Sequence, residues 1–376
     1  MKFIPTADRK VWGGDALAKR FEKVFVETDC EGNEVKIKES EAVGESWELA
    51  DMGFIDSVVA EGWLAGNTLG ELMDTYLERI HGEELYGWFG RQFPLLVKFL
   101  DIRGKMSVQV HPDDETAEQR YDSLGKDELW YIVDAGKDAK VYTGFEKDVE
   151  AAAFYQACLD GSVVDMMHCI KPHKGDVFHF APGTIHAAEG EILAVEISES
   201  SDLTFRLYDW GRENDPLTAR PMHLEEAFDF INYSKWDEKS YIPASGDVQG
   251  PAKSLFANEV FSVNKMTVRD TLQISTAKFG RFIIYICLSG EASFQLKGEK
   301  GTEEHLLRKG ETMLVPADVP DFFIVPRDRD TELLEVMTER LEEKDGYINP
   351  DTEPFLEGED YEGLNIEDSE EEEGNE

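Results

Sequence analysis

The chain has 376 residues and a formal net charge of −41, because 79 acidic residues are set against 38 lysines and arginines. So much negative charge repels the phosphates of nucleic acids and of anionic membranes, so neither is expected as a partner. Hydrophobic residues make up 41% of the sequence, as in globular proteins, and no apolar run is long enough to cross a bilayer. The cysteines show no CxxC spacing, which favours a protein of the reducing cytoplasm over a disulfide-linked one; they are Cys30, Cys158, Cys169 and Cys287.

The first two thirds of the chain alternate between strand patterns and helical patterns. Strands are predicted where β-branched and aromatic residues lie between Gly, Pro or Asp, at Val108–Val110, Leu129–Val133, Val177–Phe180, Ile192–Ile197 and Leu203–Tyr208. Apolar residues at helical spacing, or an acidic first turn after a proline, predict helices over Thr68–Ile80, Thr116–Tyr121, Asp148–Leu159 and His223–Ile231. This mixture predicts a mainly β domain with helical insertions.

A turn-rich, weakly apolar stretch around Ile242–Lys253 is interpreted as a linker. Closely spaced strand patterns with glycine turns follow it and indicate a second sandwich or barrel; they are Leu272–Thr276, Arg281–Leu288, Ala292–Leu296, Glu311–Val315, Phe322–Ile324 and Leu333–Met337. The chain ends on EDSEEEEGNE, and such a run of like charges predicts a disordered, solubilising tail. We therefore expect one domain over residues 1–245, a second over 246–345 and a tail over 346–376.

Four polar residues on neighbouring predicted strands and turns suit a divalent metal such as zinc. Gln109 and His111 are two residues apart, so they face the same side of a strand. Glu128 opens the next strand, and His186 follows a Pro-Gly turn. Two imidazoles, a carboxylate and an amide oxygen can hold such an ion and leave positions open for a substrate. His179 has no obvious partner on its strand and is predicted to be a packed or rim histidine.

These residues belong to a series of motifs that resembles type I mannose-6-phosphate isomerases, in their short bacterial form. The matching motifs run in order over roughly residues 1–340 and read VWGG, GESWE, FPLLVKFLD, MSVQVHPDD, GKDELWYI, GTIHA and SDLTFRLYDW. The resemblance implies a cupin-type, jelly-roll-like barrel at about residues 85–210. It also implies that the second β pattern is a degenerate cupin-like barrel.

The resemblance further implies a zinc-dependent aldose–ketose isomerase that acts on mannose 6-phosphate through an enediol or enediolate. The zinc ligands of the family correspond to Gln109, His111, Glu128 and His186. Residues of the family's active site correspond to three catalytic candidates, Arg206, Glu196 and Lys126. Arg206 would stabilise developing charge, and Glu196 or a Lys126 of depressed pKa would exchange the proton.

Two more residues resemble substrate contacts of the family, Lys98 and Ser107, whose ammonium and hydroxyl groups are suitable donors to a phosphate. Asp113 and Asp114 are interpreted as residues that start a helix or support the ligands, rather than as ligands. The residues alone leave open another cupin metal enzyme, such as a glucose 6-phosphate isomerase or a dioxygenase. They also leave open a non-catalytic sugar-binding protein and any oligomeric state.

One zinc ion per chain is expected, held by the first barrel. In the second half, Asp321 stands where the turn motif that leads to His186 would have a histidine, and Asp318 stands where it would have a glycine. The remaining histidine of that half, His305, lies in a polar run. Tight zinc binding there would lack the usual nitrogen ligands, so we predict that the second barrel is structural.

Overall fold

The computed structural model describes residues 1–28, 33–244, 252–276, 279–298 and 301–338. Residues 1–339 belong to one structural unit. Cys30, most of the predicted linker and the predicted acidic tail lie outside the described residues. Among the described helices, none is both long enough and apolar enough to cross a membrane.

Strands dominate the chain up to residue 244. They are β1 (Thr6–Asp8), β2 (Val26–Thr28), β3 (Glu34–Lys36), β4 (Glu45–Leu49), β5 (Leu95–Ile102), β6 (Val108–Val110), β7 (Glu128–Ala135), β8 (Lys140–Phe145), β9 (Met167–Ile170), β10 (Val177–Phe180), β11 (His186–Glu189), β12 (Ile192–Glu199), β13 (Phe205–Tyr208) and β14 (Tyr241–Ile242). The five strands predicted for this part are all present, with ends that differ by a few residues.

Helices connect these strands and add apolar residues to the cores on the outer faces of both sheets. They are α1 (Ala16–Phe21), α2 (Leu69–Tyr76), α3 (Glu78–His81), α4 (Glu83–Phe89), α5 (Asp114–Tyr121), α6 (Ala151–Asp160) and α7 (Leu224–Ala227). Short 3-10 turns lie at Val163–Met166, Arg212–Asn214 and Glu238–Ser240.

Two sheets face each other in this first part. A seven-stranded sheet has the order β1-β4-β5-β12-β7-β10-β14, and a five-stranded sheet has the order β13-β6-β11-β8-β9. Every residue of β5 and of β12 is buried, because both faces of the larger sheet are covered. Trp130 and Phe178 belong to the core between the sheets. Their neighbours Leu129 and Val177 point to the opposite face, since successive side chains alternate along a strand.

The second half repeats the arrangement of two packed sheets. Its strands are β15 (Ala252–Ala257), β16 (Phe261–Val268), β17 (Leu272–Ile274), β18 (Ile283–Ser289), β19 (Glu291–Gly298), β20 (Gly301–Arg308), β21 (Thr312–Val315), β22 (Phe322–Pro326) and β23 (Thr331–Thr338). Five of them form the sheet β15-β16-β23-β18-β21, and four form β17-β22-β19-β20. Tyr285, Phe294 and Phe322 pack between these sheets. Phe261 and Ile284 join the core behind the larger sheet of the first part. The predicted mainly β, jelly-roll-like architecture is confirmed.

Two helix predictions are wrong in extent. The pattern over Thr68–Ile80 predicts one helix, but the chain breaks it at Leu77, where φ is 47°. The break lets α3 place Ile80 and His81 in the core, so tertiary packing outweighs local propensity. The helix predicted over His223–Ile231 is reduced to the single turn α7.

Candidate metal centre and active site

Three strands bring the predicted metal ligands together at one end of the first pair of sheets. Gln109 lies in β6 and His111 follows the last residue of that strand. His186 begins β11, and the antiparallel register pairs it with Gln109. Glu128 begins β7 in the facing sheet. The period-2 pattern that predicts a shared face for Gln109 and His111 therefore delivers both residues to one site.

His111, Glu128 and His186 form the one group of potential metal ligands found in the described part of the chain, with ligand atoms all within 4.8 Å of one another. Nε2 of His111 lies 3.2 Å from Oε2 of Glu128, and Nε2 of His186 lies 3.8 Å from Oε1. All three side chains are buried. The three side chains therefore direct their ligand atoms to one small region.

Backbone carbonyls orient both imidazoles. Nδ1 of His111 donates to the carbonyl oxygen of Leu203 at 2.8 Å, and Nδ1 of His186 donates to that of Thr184 at 3.0 Å. With the ring proton held on Nδ1, the lone pair of each Nε2 points inward toward Glu128. Metal-binding histidines are commonly held by a carbonyl in this way.

The electrostatics also suit a metal. Burial, with His111 as a second cause, lowers the pKa of His186 to about 4, so this imidazole is neutral at neutral pH. Burial acts to raise the pKa of Glu128, but the Lys126 ammonium, 3.2 Å away, holds it well below its ordinary value. Neutral nitrogen and ionised carboxylate are the protonation states in which these groups bind a cation.

Buried polar atoms without hydrogen-bond partners test whether these residues suit a metal ion. Nε2 of His111 and both carboxylate oxygens of Glu128 are buried without a hydrogen-bond partner among the described residues. Buried polar atoms are normally paired, so these atoms point to an ion. The residues fit a divalent metal.

The Gln109 amide, the fourth predicted ligand, lies beside His186. Its Nε2 lies 3.2 Å from Nε2 of His186, and its Oε1 accepts a hydrogen bond from Ser107 Oγ at 3.3 Å. A rotation of about 180° about the last side-chain bond exchanges Oε1 and Nε2 of this amide. In the rotated orientation, Oε1 faces His111, Glu128 and His186, and Nε2 donates a hydrogen bond to Ser107. Ser107 itself is buried behind Gln109.

A lysine–glutamate pair lies beside the ligands. Nζ of Lys126 lies 2.9 Å from Oε1 of Glu196 and 3.2 Å from Oε2 of Glu128. Burial opposes its charge, but these two carboxylates outweigh burial and raise the pKa of Lys126. The expected depressed pKa is therefore wrong, and Lys126 is a cation. Glu196 is the group of this pair that can accept a proton.

Lys98 lies at the acidic side of the same cavity. Its Nζ is 3.4 Å from Glu45, 3.6 Å from Glu196 and 3.8 Å from Asp202. It also sits 3.9 Å from the ring centre of Trp47. Burial opposes its charge, but Glu196 and Glu45 raise the pKa of Lys98 overall. The three carboxylates around Lys98 would repel any further anion at this end of the cavity.

Arginines gather at the other side of the cavity. Arg206 and Arg220 both line it. Asp209 holds Arg220 through two hydrogen bonds of 3.0 and 2.6 Å, and accepts a third from Arg212 at 2.6 Å. Arg206 donates to the carbonyl oxygen of Pro221 at 2.8 Å. Since Asp209 is fully buried, it is a fixed anchor that presents the arginines toward the cavity.

The cavity that joins these groups has a volume of about 200 Å³. The sequence analysis gives no role to four charged residues that line it, which are Lys10, Glu45, Asp202 and Arg220. The motifs GESWE and SDLTFRLYDW contain Glu45 and Asp202, so their proximity to the site has a signal in the sequence. Lys10 and Arg220 have none.

The aspartates after Pro112 serve the backbone. Asp113 caps α5, where its side chain accepts from the Thr116 N–H at 2.8 Å, as predicted for a helix start. Asp114 accepts from the Gly125 N–H at 2.9 Å and so fixes the loop that leads to Lys126.

The other predicted non-ligands lie apart from the triad. His179 is hydrogen-bonded to Asp127 at 2.8 Å. Asp321 accepts from the Ser275 hydroxyl at 3.2 Å, and His305 lies in β20 on the other sheet pair.

Comparison with known proteins identifies the family. Residues 1–151 match the family model of the phosphomannose isomerase type I catalytic domain. Mannose-6-phosphate isomerase ManA of Bacillus subtilis is 30% identical over 324 residues, which are 85% of this chain and 94% of the relative. A putative mannose-6-phosphate isomerase of the same species is 32% identical over 325 residues, again 85% and 94%.

The fold agrees as well. The crystal structure of the mannose 6-phosphate isomerase from Bacillus subtilis matches with a TM-score of 0.75 and 28% identity, over 89% of this chain and 98% of that one. A putative mannosephosphate isomerase from Archaeoglobus fulgidus shares the fold at 21% identity, with a TM-score of 0.68 over 90% and 97% of the two chains. The predicted family is confirmed: this chain is a member of the type I phosphomannose isomerases.

Proposed function

We propose that the chain interconverts mannose 6-phosphate and fructose 6-phosphate, the isomerase activity for which its Bacillus subtilis relatives are named. The observation that carries this proposal is the His111–Glu128–His186 group beside the Lys126–Glu196 pair in one cavity. Such an arrangement combines ligands for a Lewis acid with groups for proton transfer, and an aldose–ketose isomerase needs both.

His111, Glu128, His186 and Gln109 would hold one divalent metal per chain, zinc in this proposal, because two imidazoles with two oxygen ligands suit that ion. When bound, the metal supplies a Lewis acid for the sugar oxygens at C1 and C2. Three of these residues are prepared for the metal before it binds. Lys126 keeps Glu128 ionised, and backbone carbonyls orient His111 and His186.

Isomerisation moves a proton between C2 and C1 through an enediol or enediolate. The Glu196 carboxylate accepts the carbon-bound proton and returns it to the neighbouring carbon. Lys126 is held as a cation at 2.9 Å from Glu196, so its N–H groups stabilise negative charge on the sugar oxygens and can supply a proton to them. Arg206 lines the same cavity and adds a permanent positive charge.

The phosphate of the substrate would bind at the arginine side. Arg220 has a planar group that can donate two hydrogen bonds to a phosphate, and its other donors are already held by Asp209. The Lys98 side carries three carboxylates within 4 Å of one ammonium and is less suited to a dianion. Lys98 would instead contact sugar hydroxyls, and Ser107 would act on the substrate through Gln109.

A coupled assay tests the proposed reaction. Chelated protein is reloaded with zinc and supplied with mannose 6-phosphate, with fructose 6-phosphate detected as product and glucose 6-phosphate as the competing substrate. We expect turnover of mannose 6-phosphate that chelation removes and zinc restores. Preference for glucose 6-phosphate, or no turnover of either sugar, would overturn the assignment. We propose that the protein acts in the cytoplasm on a small-molecule sugar phosphate. We expect it to bind neither nucleic acid nor membranes.

A further inference from the structure

Ser198 lies behind the Lys126–Glu196 pair and is fully buried. It stands in β12, two residues after Glu196, so the two side chains leave the strand on the same face. The register places Ser198 directly opposite Glu128 on β7. A small hydroxyl is therefore built into the sheet between a metal ligand and a proton-transfer group.

The hydroxyl contacts the ammonium of Lys126 at 2.7 Å. Of its three N–H donors, one is hydrogen-bonded to Ser198 at 2.7 Å and one to Glu196 at 2.9 Å, while Glu128 attracts the charge from 3.2 Å without a hydrogen bond. These two hydrogen bonds stop rotation about the last side-chain bond and set the direction of the third N–H. The ammonium has one orientation, although it ends a flexible four-carbon stem.

The direction of the Ser198 hydrogen bond is also settled by its neighbours. The hydroxyl donates its single hydrogen to the carbonyl oxygen of Glu199 at 2.9 Å. It can therefore only accept from Lys126. Ser198 acts as a neutral acceptor that complements two carboxylates without adding a third negative charge to the site.

We propose that Ser198 is a positioning residue, which holds the Lys126 ammonium against Glu196 so that its remaining N–H is directed into the cavity, toward the sugar oxygens. This inference rests on the proposed function. Without Ser198, the ammonium keeps its charge but can turn toward either carboxylate alone. Substrate binding is then preserved, whereas stabilisation of the transition state is weakened.

Ser198→Ala tests the proposal in the zinc-loaded full chain. We expect kcat for mannose 6-phosphate to fall about tenfold, the effect of losing one hydrogen bond to a charged group, with KM changed less than about twofold. Bound zinc should remain unchanged. Ser198→Thr keeps the hydroxyl and should recover most of the rate. Ser198→Cys, of similar size, should behave like Ser198→Ala, so a folding defect in one variant does not decide the result.

A double-mutant cycle separates positioning from mere packing. In a Lys126→Met background, Ser198→Ala should change the residual kcat by less than about twofold, because the group it positions is gone. The matched control is Ser46→Ala, which removes a buried hydroxyl that is hydrogen-bonded to Glu48 in the same sheet. This control should leave kcat and KM unchanged. Equal effects of Ser198→Ala in both backgrounds, or an unchanged kcat, would overturn the proposal.

A readout independent of activity distinguishes this inference from the proposed function. In protein labelled with ¹⁵N at lysine Nζ, the buried and hydrogen-bonded Lys126 ammonium should give a slowly exchanging proton signal that Lys126→Met removes. Ser198→Ala should accelerate that exchange at least about tenfold, whereas Ser46→Ala should not. Wild-type chain without isomerase activity would refute the function. Unchanged exchange in Ser198→Ala would refute the positioning, whatever the activity.

Discussion

Gln109 and His186 are paired across the register of β6 and β11, and the Gln109 amide lies 3.2 Å from Nε2 of His186. The pairing is a direct consequence of strand geometry: opposite residues on antiparallel strands share a face. Ser107, two residues earlier, is hydrogen-bonded to the other end of the same amide. Ser107 and His186 therefore hold the Gln109 amide from both ends.

Ser107→Ala should weaken metal binding rather than substrate binding. Loss of the hydroxyl frees the Gln109 amide to rotate, and removal of such a supporting contact typically costs 10- to 100-fold in metal affinity, about tenfold here. The measurement is a competition titration of zinc against a chelator, with Ser46→Ala as the control. A rise in KM for mannose 6-phosphate at saturating zinc, with zinc affinity unchanged, would show instead that Ser107 contacts the substrate directly.

Arg206→Lys should retain the fold and the metal but lose at least about 100-fold in kcat. Lysine keeps a positive charge but not the planar fork that is held in place by the carbonyl of Pro221. Steady-state kinetics and zinc content of the purified variant check this. A variant with nearly normal turnover would show that Arg206 is only a structural cation.

Arg220→Gln should mainly affect substrate binding. Removal of the cation from the arginine side should raise KM about tenfold and weaken inhibition by inorganic phosphate to a similar degree. Arg327→Gln removes the same charge from the second sheet pair, where Arg327 is paired with Glu304, and is the matched control. Equal KM values and equal inhibition by phosphate in the two variants would show that the substrate phosphate does not bind at Arg220.

His81 should make the fold sensitive to acid. Its ring is fully buried, packs against Phe93 and Phe282 with ring centres 5.8 and 5.9 Å away, and has no hydrogen-bond partner among the described residues. Burial lowers the pKa of His81 from 6.5 to about 4. Between these values the unfolded chain binds the proton and the folded chain does not, so stability falls as the pH drops from 6.5 toward 4.

The effect should reach about 3 kcal/mol, and His81→Phe should remove it. Urea unfolding of both proteins at pH 7.5 and pH 4.5 gives the measurement. The stability lost between the two pH values should be smaller in His81→Phe, although carboxylates and the metal ligands contribute to both proteins. Equal losses would show that another group carries the acid sensitivity.

Strand periodicity in the sequence predicts that the candidate ligands converge, and the structure brings them together. Gln109, His111 and Glu128 are set by the ends of β6 and β7, which the apolar alternation marks. The break at Leu77 was not predictable in this way, since it depends on where Ile80 and His81 pack in three dimensions.

The charge interactions around the site, like the break at Leu77, were not predictable from the sequence alone. The raised pKa of Lys126 depends on two carboxylates, one of them far along the chain. Arg220 reaches the cavity because Asp209 holds it from eleven residues away. Neither relationship has a period or motif that a single sequence displays, whereas the shared face of Gln109 and His111 does.

Metal content measured together with turnover tests the central claim most directly. Purified wild-type chain should hold close to one equivalent of zinc, and His186→Ala should lose both the zinc and the turnover of mannose 6-phosphate. Asp321→Ala, in the second sheet pair, should lose neither. Chelation should abolish wild-type turnover, and added zinc should restore it. Full turnover by metal-free protein, or a second tightly held equivalent that Asp321→Ala removes, would contradict the account.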